Sequence, residues 1–124
     1  MRDIDYWPVA EAAERLRRRR KERREALVEH RERAQAWARA LAQDLGAADD
    51  TVRRIIGFGS TFEIWRHFRT DSDIDLAIEG GDWFFLMRRI PPGEFEVSLV
   101  ELEQQGVEFA EHVRAVGAIL YERS

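Results

Sequence analysis

Hydrophobic and polar positions follow two rhythms along this chain, and the change between them falls near Gly46. From Val9 to Asp44, Ala, Arg, Glu and Leu dominate, all strong helix formers. Pro8 suits a first helical turn, and Gly46 lies where a left-handed cap is common. The pattern predicts one helix about 54 Å long. A heptad-like seam runs through Val9, Ala13, Leu16, Arg20, Arg23, Leu27, His30, Ala34, Trp37 and Leu41, with spacing alternating between four and three. Its ends are apolar and its middle is charged, so either the centre stays solvated or the helix breaks near Arg18–Arg24. Trp37, Leu41 and Leu45 are expected to dock on a sheet while the earlier half projects.

After Gly46 the runs shorten. Val52–Phe58 reads as a strand, Thr61–Phe68 as a short helix or turn, and Asp73–Ile78 as a second strand stopped by Gly80-Gly81. Asp82 can cap a helix over Trp83–Arg89. Pro91-Pro92-Gly93 breaks the chain before a third strand, Glu94–Leu102. Val107–Tyr121, apolar at 109, 113, 116, 119 and 120, predicts an amphipathic closing helix. Helices alternating with strands imply an α/β layer structure. The expected division is an N-terminal helical extension, 1–45, and a compact domain, 46–124.

The candidate chemistry sits between the first two strands. Ile55-Ile56-Gly57-Phe58 ends in Gly59-Ser60, and Asp71-Ser72-Asp73-Ile74-Asp75-Leu76 follows. Residues i and i+2 of a strand share a face, so Asp73 and Asp75 project together while Ile74, Leu76 and Ile78 face a core. Paired carboxylates near a Gly-Ser turn suit Mg²⁺ and a nucleoside triphosphate.

These residues carry a resemblance. Phe58-Gly59-Ser60, a spacer, then Ser72-Asp73-Ile74-Asp75-Leu76 resembles the signature of the minimal nucleotidyltransferases (MNT) of the DNA polymerase beta-like superfamily. The resemblance covers roughly Val52 to Tyr121, including an ending similar to the family's closing helix. It implies a small mixed β-sheet with helices packed on it. It also implies that Gly59, Ser60 and Ser72 bind nucleotide and that Asp73 and Asp75 ligate Mg²⁺. Stand-alone members of this size resemble antitoxins paired with a HEPN-type ribonuclease toxin, transferring AMP from Mg-ATP to a tyrosine hydroxyl of that toxin.

Two departures bear on activity. Where the family often reads Arg-Ala-Arg-Gly after Gly-Ser, this chain reads Thr61-Phe62-Glu63-Ile64, in a spacer about two residues longer than usual; Arg66 or Arg69 is the available substitute. The family's third-strand acidic residue aligns with Ser98. Glu96, two residues earlier on the same face, is the replacement and the third candidate catalytic residue beside Asp73 and Asp75. The alternative reading is a catalytically degenerate module that neutralises a partner by contact.

Charge adds partners to this picture. Residues 1–45 carry net +3 and residues 46–124 net −7. Arg15 to Arg24 holds eight basic residues in ten, a solvated helix face or a surface for RNA or an acidic partner. RNA is the less favoured partner, because no aromatic interleaves the run. The apolar ends of the long helix predict a homo-oligomer. There is no cysteine, so thiolate metal sites are excluded, and the dispersed His30, His67 and His112 form no zinc motif. No apolar run reaches 18 residues and Met1–Asp5 does not look like a signal peptide, so no membrane helix and a cytoplasmic location are expected.

Overall fold

The structure, a computed structural model, describes residues 7–124; the reading of Met1–Asp5 lies outside it. The helix α1 spans Trp7–Ala48, 42 residues or about 63 Å. It runs unbroken through Arg18–Arg24. Exposed pairs within it, Glu14–Arg17 at 2.7 Å and Glu11–Arg15 at 3.8 Å, add only a few tenths of a kcal/mol each. Helix propensity and the packing of the C-terminal half therefore sustain it.

Four strands follow: β1 (Arg54–Phe58), β2 (Ile74–Glu79), β3 (Val97–Glu101) and β4 (Ala118–Glu122), in the order β3-β2-β1-β4. β1 is antiparallel to β2 and β4, and β2 is parallel to β3. The helix α2 (Trp83–Arg89) lies where the sequence predicts it. The Asp82 carboxylate accepts the Phe85 N–H at its N-terminus. Gly80 and Gly81, at φ 77° and 95°, make the turn before it.

The sheet is covered on both faces. Ile55, Ile74, Leu76, Ile78, Leu99 and Leu120 pack against Ala34, Ala38, Leu41, Ala42 and Leu45 of α1. On the opposite face Ile56, Ala77 and Leu102 meet Ala110 and Val113 of α3 (Val107–Val116). The expected division at residue 45 thus falls inside α1, whose Ala34–Leu45 stretch shares the core of the sheet. The earlier half of α1 is mostly exposed, as its charge pattern implies.

Two local expectations are corrected. The closing helix does not extend to Tyr121: it stops at Val116, and Ala118–Glu122 is strand β4. Gly117 makes the break, donating its N–H to Val113 O at 2.8 Å where a Cβ would collide with Ile56 and that carbonyl. The apolar positions fit both periods, and the open edge of β1 decides for strand. Gly46 is no cap either. It lies inside α1, where the Tyr121 ring leaves no room for a side chain. The last-turn carbonyls are taken instead by Arg123, whose Nη2 donates to Gly46 O at 2.7 Å and Asp49 O at 3.2 Å. Trp37, expected to dock on the sheet, is partly buried against the core.

Candidate functional site

Antiparallel pairing brings the end of β1 beside the start of β2, with Phe58 opposite Asp75. Gly59-Ser60 and Asp73, with twelve residues between them in sequence, therefore meet at one end of the two central strands. Parallel pairing starts β3 at the same end. Ser98 stands opposite Asp75, and Ile74 N–H donates to Glu96 O at 2.8 Å. By strand alternation Asp75, Ser98 and Glu96 share the face covered by α3, and Asp73, immediately before β2, falls in the same phase.

Gly59 opens a short 3-10 turn, Gly59–Thr61, with φ 71°. Asp75 Oδ2 lies too close to leave room for a Cβ on Gly59, so the turn backbone and the carboxylate are in direct apposition. Thr61 is fully buried. Its Oγ1 donates to Asp73 O at 3.2 Å, and its carbonyl accepts from Gln35 Nε2 of α1 at 2.8 Å. Arg31 holds the following loop through Ile64 O at 3.4 Å and Arg66 O at 2.8 Å. The long helix thus positions the loop as well as roofing the core.

Asp75 is half-buried, and its pKa is pushed up to about 6. Burial is the main cause. The charges of Asp73 and Glu63 add to it, and Arg66 opposes it. The cost of ionising Asp75 beside another carboxylate is what a divalent cation relieves, and Mg²⁺ is commonly held by one or two carboxylates plus substrate phosphates. Asp73 and Asp75 fit that role. Among the described residues no cluster of three His, Cys, Asp or Glu side chains is placed to hold a metal. Glu96 is exposed and lines a cleft of about 340 Å³ with Asp71, Ser72, Asp73 and Glu94.

The remaining candidates are placed as follows. Ser60 lies partly buried in the turn. Ser72 Oγ accepts the Arg69 N–H at 2.9 Å and so closes the turn that leads into β2. Arg66 Nε donates to Glu63 at 3.0 Å, and Arg69 pairs with Asp71 at 3.3 Å. Sequence reasoning missed Glu63 and His112. Glu63, 1% exposed, accepts the Gly59 N–H and bonds Nε2 of His112, on α3, at 3.0 Å. Burial tends to raise its pKa, but the bonds from Arg66, Gly59 and His112 outweigh it and hold the carboxylate below its usual range. The only local hint was an acidic residue where the resembling family carries arginine.

No protein-family model and no curated relative matches the chain. Two solved structures share its architecture. One is a crystal structure of a toxin–antitoxin with AMP-PNP, at 22% identity over 69% of this chain and 74% of that chain, with a TM-score of 0.56. The other is a candidate nucleotidyltransferase from Sulfolobus solfataricus, at 14% identity over 78% of this chain and 87% of that chain, with a TM-score of 0.55. No helix among the described residues is long and apolar enough to cross a membrane. The mixed four-stranded sheet, with the long helix on one face and a Gly-Ser turn meeting Asp73 and Asp75 at the start of β2, is a nucleotidyltransferase-like fold, shared with these two structures.

Proposed function

We propose that this chain binds Mg-ATP between the Gly59-Ser60 turn and the Asp73/Asp75 pair, and transfers AMP to a tyrosine hydroxyl of a HEPN-type partner toxin, as the antitoxin of the pair. The observation that carries the reading is the apposition of Gly59 and Asp75, in a fold shared with a toxin–antitoxin crystallised with AMP-PNP. Backbone N–H groups of the turn and the Ser60 hydroxyl would hold phosphate oxygens. Asp73 and Asp75 would hold Mg²⁺, which when bound neutralises phosphate charge and activates the attacking hydroxyl. Glu96, at the same end of the strands, is the carboxylate available to take the hydroxyl proton as the oxygen attacks the α-phosphorus and pyrophosphate leaves. Incubation with labelled ATP, Mg²⁺ and the protein encoded beside it tests the reading: label on the partner supports it, and none on either protein counts against it.

A second reading has its own observation. Ser98 stands opposite Asp75, where a third carboxylate would complete the site. Serine is a weak ligand for a hard cation, so the chain could bind nucleotide and neutralise its partner by contact alone. Ser98→Asp separates the readings. Transfer should rise by about tenfold or more if the missing carboxylate limits catalysis. No gain, with activity lost in Glu96→Gln, would assign that role to Glu96. No effect of either would favour contact.

The exposed Val9, Leu16 and Val28 on α1 support self-association through this helix. Leu27 and His30 pack on the core, His30 between Phe68 and Phe95, so the informative truncation ends before them. Removing residues 1–22 should leave nucleotide binding unchanged and convert an oligomer to a monomer in light scattering. Equal masses per particle for the two proteins would sink the oligomer.

A further inference from the structure

We propose that Glu63 is the positioning residue of the nucleotide turn, and that His112 couples helix α3 to it. The inference rests on the nucleotide reading above and goes beyond it to a second layer of residues that touch neither metal nor phosphate. Glu63 grips Gly59 at both ends of its peptide backbone: its carboxylate accepts the Gly59 N–H, and its own N–H donates to Gly59 O at 2.8 Å. The other carboxylate oxygen accepts from Arg66 Nε and His112 Nε2, each at 3.0 Å. A carboxylate only 1% exposed needs such partners, and with them it is a rigid post.

The post matters because Gly59 has no slack. With Asp75 Oδ2 crowding the place of its missing Cβ, a slide of the turn toward β2 moves against the carboxylate that would hold Mg²⁺, and a slide away from it opens the site. Displacements of about 1 Å in a binding constellation cost affinity and rate steeply. The arrangement also accounts for an acidic residue at position 63. The acidic residue stands beneath the turn, its charge compensated by Arg66 and His112. Because His112 comes from α3, that helix and the turn are mechanically linked across 49 residues of sequence.

The test uses the full chain with Mg-ATP, reading affinity by calorimetry, amide exchange in segment 57–63 and the melting temperature. Glu63→Gln should loosen exchange in that segment and weaken Mg-ATP binding by about tenfold. The His112 side chain is 43% exposed, so His112→Ala should stay folded; it should weaken binding about threefold, with His112→Gln restoring most of it through a new N–H donor. A lowered melting temperature with unchanged Mg-ATP affinity in Glu63→Gln and His112→Ala would make the cluster purely structural and overturn the inference. If Glu63→Gln does not fold, the two His112 variants decide alone. Failure of the wild-type chain to bind Mg-ATP is a different result: it overturns the reading of the site and this inference with it.

Discussion

Replacing Asp73 and Asp75 together by asparagine should abolish Mg²⁺-dependent nucleotide binding while making the free protein more stable. Both effects come from the same electrostatics. Asp75 has its pKa raised from 3.8 to about 6, first by burial and then by the charges of Asp73 and Glu63. A carboxyl with a raised pKa binds its proton more tightly folded than unfolded. Its penalty is absent below about pH 4, grows between about pH 4 and 6, and is constant above that. A shift of this size corresponds to about 1–3 kcal/mol. The Asn pair should recover that amount at pH 7.5 and nothing at pH 4, read as melting temperatures at the two values. Nucleotide binding should be lost at both, because each change removes an anionic ligand from a hard cation. In the wild type, Mg-ATP affinity should fall as pH drops through about 6, when Asp75 takes up its proton. Retention of Mg²⁺-dependent binding by the double variant would remove the site assignment.

Gly59→Ala should be nearly as damaging by a different route. At φ 71° an L-residue costs roughly 1–2 kcal/mol, and the new methyl group would overlap Asp75 Oδ2. The turn must then shift away from β2, or the carboxylate must rotate out of the site. Either change would separate the turn proposed to hold phosphate from the carboxylates proposed to hold Mg²⁺. We expect a destabilisation of about 1–3 kcal/mol and a loss of Mg-ATP affinity of about a hundredfold. Gly106→Ala is the matched control. Gly106 has φ −63° and open space where the Cβ would go, so stability and binding should stay within experimental error of wild type. Calorimetry on both variants at equal protein concentration checks the pair. Wild-type affinity in Gly59→Ala would show that the turn does not contact the nucleotide.

How much of this was legible in the chain depended on the distance over which each feature is decided. Asp82 caps α2 through a bond three residues away, and α2 spans the residues that its pattern predicts. The phase of β2 was equally local: Ile74, Leu76 and Ile78 are buried on one face, with Asp75 on the other. The long helix was legible because its residues favour helix one by one, even through the arginine run. Ser98 was identified by its string, Val97-Ser98-Leu99-Val100, and it stands beside Asp75.

Tertiary contact alone decided the rest. Ala118–Tyr121 suits a helix or a strand, and it became β4 because β1 had an unpaired edge beside it. Gly46 looked like a helix end, but it serves as a gap for the Tyr121 ring 75 residues later. Glu63 and His112 gave no recognisable spacing, since their bond joins a loop to a helix packed over the opposite side of the sheet from α1. Periodicity and capping are properties of a few consecutive residues, so the sequence by itself determined α1, α2 and the phase of β2 that sets the direction of Asp75. Which edges pair, which glycine yields to a ring and which buried charge holds the turn are settled by groups that meet only when the chain has folded.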